Sequence, residues 1–338
     1  MAGLFRLLKM QYTPPTDPQG ISFAGKVVLL TGATSGLGFE AAIKIVNLGA
    51  DKLIIGSRSI ERGKQTKLEL ERITKRLNVV NVWQLEMNSF RSVKIFTDRV
   101  NNELERLDIA LLNAGLWNRE YQQSPEGWEE TLQVNTLSTS MLALLLIPKL
   151  RRSATATNPA HMSVVSSQQF VRVKAQSVQT DGPLLPYLND SVHFKGPRQY
   201  GISKLLLEFV IKKIAALSRN EDGSHPLIVN TVSPGLCKSG LGRQYNCWYE
   251  KCIVWVMHKL FARTTEEGSR SLVSATIQGV ESQGKCWRSE GYLDESTALT
   301  TGADAEELQE KVWAEIITVL EDEAPEVSII ARGVYQGV

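Results

Sequence analysis

The stretch "KVVLLTGATSGLG", Lys26 to Gly38, decides the fold of this 338-residue chain. Its first half is a run of apolar and β-branched residues, which is typical of a strand buried on both faces. Its glycines come where that strand ends, and behind them Leu37, Ala41 and Ile45 form the apolar face of a predicted helix. Glycines in this context let the backbone approach a pyrophosphate at the helix N-terminus, although a tight strand–helix turn also needs them.

The same unit of strand followed by helix recurs along the chain. Further buried strands are predicted at "KLIIGSR", "VVNVWQLE", "LDIALLNAG", "HMSVVSS" and "PLIVNTVSPG", with helix-length amphipathic segments between them. Strands joined by crossover helices run parallel, so the fold class is α/β: a doubly wound (Rossmann) parallel sheet flanked by helices. One elaborated domain is expected over residues 22–290, with an N-terminal extension (1–21) and a C-terminal extension (291–338) that packs on the domain or trails from it.

Two segments interrupt this rhythm. Residues 168–199 are polar and rich in turn formers, which predicts a long insert on the rim of the sheet. Residues 236–263 include "CWYEKCIVWVMHKLF", an apolar stretch that predicts a helical lid. Its aromatic residues, Trp248 and Tyr249 among them, suit core packing, a partner or membrane surface, or the roof of a substrate pocket, and all three readings stay open.

Composition and charge exclude several classes of protein. With 43% hydrophobic and 22% charged residues, the chain has the composition of an ordinary globular protein with a large core. A net charge of +2 without Lys- and Arg-rich runs argues against a nucleic-acid partner. The run "MLALLLIP" is too short to span a membrane and is expected to end at Pro148, which leaves only a weak peripheral membrane contact open for the N-terminal extension.

Cysteine usage indicates a reducing compartment. The four cysteines, Cys237, Cys247, Cys252 and Cys286, have no C-x-x-C spacing and no histidine cluster near them. This pattern argues against a zinc site and against a dense disulfide framework, so no metal is expected. A cytoplasmic location is the default expectation for such a chain.

Six short motifs resemble those of the short-chain dehydrogenase/reductase family. They are "TGATSGLG" (31–38), "LLNAG" (111–115), the asparagine of "LQVNTLS", the serine pair of "SVVSSQQF", "YGISK" (200–204) and "VSPG" (232–235). Their order and rough spacing match the family over about residues 22–290. The chain looks most like the retinol-dehydrogenase-like branch, including fungal members with a long C-terminal region.

The resemblance implies a site, residue by residue. It assigns catalysis to Asn135, Ser167, Tyr200 and Lys204, with Ser166 as the rival serine; the family pattern "VNVSS" places the active serine second. It implies substrate contacts by Ser167 and Tyr200 and a substrate-covering loop after "VSPG", where Trp248 and Tyr249 are the candidate contacts if the loop is the roof of the pocket. The implied cofactor residues are Thr31, Gly32, Ser35, Gly36, Leu37, Gly38, Arg58, Glu86, Asn113, Ala114, Gly115, Tyr200, Lys204, Pro234, Gly235 and Ser239. A purely structural reading stays open for Asn135, which would stabilise its helix, and for the serines, which would cap a strand end.

Tyr200 and Lys204 lie one helical turn apart and share a helix face. A carbonyl that accepts a hydride develops alkoxide character and needs a proton from a group whose pKa is near ambient pH. Free tyrosine is too weak an acid by about three pKa units, or ~4 kcal/mol, which one ammonium at about 4 Å in an effective dielectric of about 20 supplies. Lys204 is therefore expected to lower the pKa of Tyr200. Ser167 would hold the substrate oxygen, and Asn135 would support a water path to solvent.

The end of the second strand indicates which nicotinamide cofactor is preferred. An NAD enzyme usually has a carboxylate there for the ribose hydroxyls, but "IIGSRS" offers Arg58, which suits a 2′-phosphate. The expected cofactor is therefore NADPH/NADP+, although a solvated surface arginine is the alternative reading. Glu86 stands where the family usually has an aspartate against the adenine.

The expected function is that of an NADPH-dependent carbonyl reductase or alcohol dehydrogenase. Its substrate would be a bulky apolar ketone, aldehyde or alcohol, as in secondary-metabolite biosynthesis. Two alternatives stay open: an isomerase or cyclase that uses the same fold without net redox chemistry, and a dinucleotide-binding scaffold or sensor without turnover. Family members often form dimers or tetramers through long helices, so a homodimer is one expectation, and blocking of that surface by the long inserts of this chain is the other.

Overall fold

The computed structural model describes residues 13–18, 20–238, 241 and 259–335. Within them the strands are β1 (Val27–Thr31), β2 (Lys52–Ser57), β3 (Val80–Gln84), β4 (Ile109–Leu112), β5 (Ala160–Val165), β6 (Leu227–Val232), β7 (Cys286–Arg288) and β8 (Gly291–Tyr292). The helices are α1 (Gly36–Asn47), α2 (Ile60–Thr74), α3 (Phe90–Glu103), α4 (Glu130–Ser153), α5 (Leu184–Asn189), α6 (Gly196–Leu217), α7 (Thr265–Ala275), α8 (Ala303–Glu321) and α9 (Glu326–Ile330).

The strands form one sheet in the order β3-β2-β1-β4-β5-β6-β7-β8. Every neighbouring pair is parallel except β7 and β8, which are antiparallel. The doubly wound parallel sheet and its six predicted strands are confirmed, whereas β7 and β8 were not predicted. They are three and two residues long, too short to show a hydrophobic pattern. The expected domain boundary at residue 290 falls inside this hairpin.

Helices cover both faces of the sheet because alternate strand residues point to opposite sides. On one face, buried residues of α1, α2 and α7 share a hydrophobic cluster with Val28, Leu30 and Ile55. On the other face, α3, α4 and α6 share a larger cluster with Leu29 and Ile54. The carboxyl ends of β1, β4, β5 and β6 therefore meet at one edge, where ligands of such sheets bind.

Helix α4 extends beyond its apolar run at both ends. It contains a π-helical turn at Gln133–Ser138, and it continues through Pro148, where the apolar run ends, to Ser153. Pro148 is buried and kept inside the helix by packing in the core. Within the described residues α4 is the one helix long and apolar enough to cross a membrane, and its apolar stretch is fully buried, as expected of a core helix.

The insert at residues 168–199 is less peripheral than its polar composition predicted. It contains short 3₁₀ turns and the helix α5, and it buries Phe170, Leu184, Leu185 and Leu188 in the core. Helix α6 begins at Gly196, so Tyr200 lies in its second turn and not at its start. The insert therefore leads directly into α6, the helix that carries Tyr200, the candidate proton donor.

The C-terminal extension packs on the helices behind the sheet. Helix α8 lies on α6 and α9 lies on α4, and both join the larger core cluster. The Glu315 carboxylate accepts hydrogen bonds from the backbone N–H groups of Leu184 and Leu185 at 2.9 and 2.8 Å, so α8 also holds the start of α5. The chain's own C-terminal helices thus cover part of the long helices through which a homodimer was considered.

Candidate active site

The turn after β1 fits a bound pyrophosphate. Gly32 and Gly36 have φ of 68° and 59°, a left-handed conformation that favours glycine. A Cβ on Gly38 would overlap the carbonyl of Gly32 and lie 2.6 Å from Nδ2 of Asn113, so no side chain fits there. The first turn of α1 has no acidic residue, which leaves the positive end of the helix available to an anion.

Thr31 and Asn113 tie this turn to the loop after β4. The Thr31 hydroxyl accepts hydrogen bonds from the backbone N–H groups of Asn113 and Ala114, both at 2.9 Å. In return the Asn113 side-chain amide donates to the carbonyls of Thr31 and Gly32 at 3.0 and 3.2 Å. The Asn113 side chain therefore braces the glycine turn, and the exposed backbone at Gly115 borders the site.

Arg58 and Glu86 lie together at the ends of β2 and β3. Nε of Arg58 is 3.7 Å from Oε2 of Glu86, and the Arg58 side chain is 73% exposed. Glu86 also accepts from the backbone N–H of Asn88 at 3.2 Å, which fixes the carboxylate on its loop. Arg58, the cation expected to meet a 2′-phosphate, thus lies next to Glu86, the carboxylate expected against the adenine.

Tyr200 and Ser167 come together at the end of β5. A hydrogen bond with Ser167 favours the ionised phenol, but burial outweighs it and raises the pKa of Tyr200. The expected lowering by Lys204 is therefore wrong for the protein alone, because desolvation disfavours the phenolate. Tyr200 stays protonated at neutral pH, as a proton donor requires.

Lys204 is buried one turn further along α6, with 4% of its surface exposed. Its ammonium donates to the carbonyl of Val165 at 2.8 Å. Burial lowers the pKa of Lys204 to about 8, against the opposing charge of Glu208. The lysine therefore titrates close to neutral pH and can exchange a proton there.

The two rival serines face different neighbours. Ser166 is buried and lies beside Glu208, whose ionised form its hydroxyl favours. Ser167 is partly exposed, lies near enough to Tyr200 to favour its ionised form, and accepts from the backbone N–H of Gln169 at 3.3 Å. The geometry favours Ser167, as the motif did, because only this serine adjoins the phenol.

Asn135 lies in the π-helical turn of α4 and braces the loop after β4. Its Oδ1 accepts from the backbone N–H of Leu116 at 2.9 Å, and its Nδ2 donates to the Leu116 carbonyl at 2.8 Å and to Oγ of Ser203 at 3.1 Å. A Cβ on Gly115 would lie 3.1 Å from Oδ1 and 3.7 Å from Nζ of Lys204. These contacts favour a role of Asn135 in positioning the loop after β4 against α6, and not a role in a water path to solvent.

The loop after β6 lies beside the same edge. Gly235 has a left-handed φ of 81°, and the Pro234 carbonyl accepts from the buried guanidinium of Arg263 at 3.4 Å. Backbone hydrogen bonds between Lys238 and Arg263 (2.8 Å) and between Arg263 and Leu236 (2.9 Å) join the two ends of the expected lid segment. Ser239, Trp248, Tyr249 and most of that segment lie outside the described residues.

Sequence reasoning missed two residues that shape the site. The ring of Trp117 lies 5.9 Å from the ring of Tyr200, with their planes at 37°. A Cβ on Gly196 would lie 2.7 and 2.8 Å from the carbonyls of Asn118 and Arg119, so the glycine lets this loop press against the start of α6. The sequence feature that could have identified Trp117 is its place as an aromatic residue two positions after "NAG".

Histidine, cysteine and carboxylate side chains are the possible metal ligands in the described part of the chain. There, no three His, Cys, Asp or Glu side chains lie close enough together to hold a metal ion. Cys237 and Cys286 are buried free thiols, and burial raises the pKa of both. Neither thiol is therefore suited to act as a nucleophile or a metal ligand at neutral pH.

Comparison with known proteins agrees with this geometry. A family model described as short chain dehydrogenase matches residues 26–175. The chain is 40% identical to the short-chain dehydrogenase/reductase phmF of Phaeosphaeria nodorum over 96% of each chain. It is also 40% identical to the short-chain dehydrogenase/reductase ffsI of Aspergillus flavipes, over 93% of this chain and 91% of that protein. Among solved structures, the Pseudomonas aeruginosa RhlG/NADP active-site complex has a similar fold, with a TM-score of 0.60 and 23% identity over 79% of this chain and 95% of that one.

Proposed function

Because the chain belongs to the short-chain dehydrogenase/reductase family of oxidoreductases, whose fold binds a nicotinamide dinucleotide, we propose that it reduces a bulky apolar ketone or aldehyde with NADPH. The reverse reaction would oxidise the corresponding alcohol with NADP+. The observation that carries the proposal is that Tyr200 lies beside Ser167 and that the Lys204 ammonium lies between the end of β5 and Gly115 of the loop after β4. The Tyr200 phenol is protonated at neutral pH, which reduction requires of a proton donor.

The residues divide the chemistry between them. The glycine turn and the N-terminus of α1 would hold the pyrophosphate, and NADPH when bound supplies the hydride that adds to the carbonyl carbon. Ser167 would hold the carbonyl oxygen, which takes a proton from the Tyr200 hydroxyl as the new C–H bond forms. The Lys204 ammonium would then return a proton to Tyr200 and be recharged from solvent, so that one hydride and one proton are consumed per alcohol formed.

The test is a screen of purified protein with NADPH and apolar ketones, aldehydes and polycyclic quinone-like compounds. The proposal expects NADPH absorbance to fall in step with alcohol formation. Product formation without loss of NADPH would identify an isomerase or cyclase instead. Tight NADPH binding without any product across the screen would favour the non-catalytic scaffold.

Replacing Arg58 by alanine is expected to weaken NADPH binding about tenfold or more and to spare NADH, because a charge-assisted bond to phosphate is worth roughly 1.5–3 kcal/mol. The measurement is the dissociation constant of each cofactor by fluorescence titration. Glu86→Gln should maintain or strengthen NADPH binding, since Arg58 would lose its competing partner at 3.7 Å. Arg72→Ala is the control, because Arg72 is an exposed arginine paired with Glu69 on α2. Equal losses for NADPH and NADH would show that Arg58 is structural.

Replacing Trp117 by alanine is expected to raise the KM for a large apolar substrate about tenfold and to change the KM for a small test ketone little. The reason is that the half-buried ring stands beside Tyr200, where a large substrate would contact it, and a lost aromatic contact is worth about 1–2 kcal/mol. Trp117→Phe should restore most of the affinity. A uniform loss for both substrates, together with a lower Tm, would make Trp117 a packing residue.

A further inference from the structure

A line of polar residues follows one face of α6 through the core. Tyr200, Lys204, Glu208 and Lys212 recur every four residues, so their side chains share that face. The helix around them is mostly apolar and buried. The proposed chemistry uses the first two residues and leaves Glu208 unexplained. A fully buried carboxyl is costly and calls for a reason.

Glu208, on α6, is packed against the strands β5 and β6. It is 1% exposed, and its Oε2 accepts a hydrogen bond from the Thr231 hydroxyl of β6 at 3.0 Å. Ser166, at the end of β5, faces the same carboxyl. The preceding residue, Val165, gives its carbonyl to the Lys204 ammonium at 2.8 Å. Glu208 and Lys204 are therefore packed against the same strand end.

The far end of the line reaches the surface. Nζ of Lys212 is 2.7 Å from Oε2 of Glu295, and their side chains are 25% and 15% exposed. The Glu295 carboxylate also accepts from the backbone N–H of Cys286 at 2.8 Å. Positive and negative side chains thus alternate along this face of α6, from Lys204 through Glu208 to Lys212. Two other titratable groups face Glu208: the Glu295 carboxylate and the Cys286 thiol.

We propose that Glu208 is a positioning residue that keeps Lys204 in its ammonium form and so maintains the proton supply of Tyr200. The proposal rests on the proposed function, since it assumes that Tyr200 is the proton donor. This role would explain why position 208 holds a buried carboxyl. A neutral residue of the same size would cost less free energy of desolvation there.

The direction of the effect follows from the charges. Burial lowers the pKa of Lys204 to about 8, and the Glu208 carboxylate opposes that shift. Burial and the charge of Glu295 raise the pKa of Glu208 to about 7, so the carboxylate acts mainly above pH 7. Without it, Lys204 would lose its proton at a lower pH. Reductase activity would then decline earlier as pH rises, while activity below pH 7 would stay close to that of the wild type.

The experiment compares pH profiles of kcat/KM for NADPH-driven reduction. In Glu208→Gln the alkaline midpoint is expected to fall by about one pH unit or more, because a charge one helical turn away shifts a buried pKa by at least that much. Glu208→Asp keeps the charge and should restore the midpoint. Glu129→Gln is the matched control, since Glu129 is also fully buried but caps the start of α4. It should lower Tm and leave the midpoint unchanged.

A second readout does not depend on turnover. In protein with ¹³C-labelled lysine, the Lys204 side-chain signal, assigned through Lys204→Met, should titrate at lower pH in Glu208→Gln than in the wild type. An unchanged Lys204 titration in Glu208→Gln overturns the inference and leaves the proposed reductase standing. Absence of any reductase activity together with the expected Lys204 shift would overturn the proposed function alone.

Discussion

Replacing Tyr200 by phenylalanine is expected to lower turnover by about 10²- to 10⁴-fold, the usual contribution of a positioned general acid. Cofactor binding should stay nearly intact, because the substitution removes the hydroxyl and keeps the ring that lies 5.9 Å from Trp117. The measurements are kcat with the best carbonyl substrate and the dissociation constant of NADPH.

The control for this substitution is Tyr292→Phe, at a tyrosine 39% exposed on β8. It loses the same hydroxyl at the edge of the sheet and should keep wild-type turnover. If Tyr200→Phe kept near wild-type turnover, the proton would come from another group, and the Ser167–Tyr200 pair would be structural. If it abolished NADPH binding as well, Tyr200 would be holding the cofactor in addition to acting as the acid.

The fold was predictable because its signals are local and repeated. Continuous apolar strands separated by amphipathic helices specify a parallel sheet, and the glycine turn marks the strand from which the order reverses. The features of the fold that the sequence did not predict have physical explanations. The insert at residues 168–199 buries Phe170, Leu184 and Leu188 in the core, although its overall composition is polar. The hairpin β7–β8 is too short to leave a pattern in the sequence.

The site was predictable where a motif keeps its residues adjacent, and much less so where contacts are long-range. The spacing of Tyr200 and Lys204 implied a shared helix face. It could not show how deeply both side chains are buried, and that burial raises the pKa of Tyr200 and lowers the pKa of Lys204. Gly196 shows its importance only when the loop of Asn118 and Arg119 is brought against it. The burial of the Glu208 carboxyl, likewise, depends on Thr231 of β6, which is distant in the sequence.

The C-terminal extension matters to the site because it supports the helix that carries the acid. Sequence reasoning left open whether residues 291–338 pack on the domain or trail from it. In the structure, α8 lies along α6 and joins the core through Val312, Ile316 and Leu320, all fully buried. Stability measurements can separate the two cases, because a trailing segment contributes nothing to the free energy of unfolding.

Replacing Ile316 by alanine is expected to lower the free energy of unfolding by about 2–5 kcal/mol, the cost of a large-to-small change in a packed core. The matched control is Ile329→Ala, because Ile329 belongs to the same extension but is 43% exposed. Its effect should stay within about 0.5 kcal/mol. Urea denaturation of the two variants gives both numbers. Equal, small effects would mean that the extension does not pack on the domain in solution. A large loss at Ile316 alone would show that α8 belongs to the core behind Tyr200, and reductase activity should then disappear at a lower temperature than in the control.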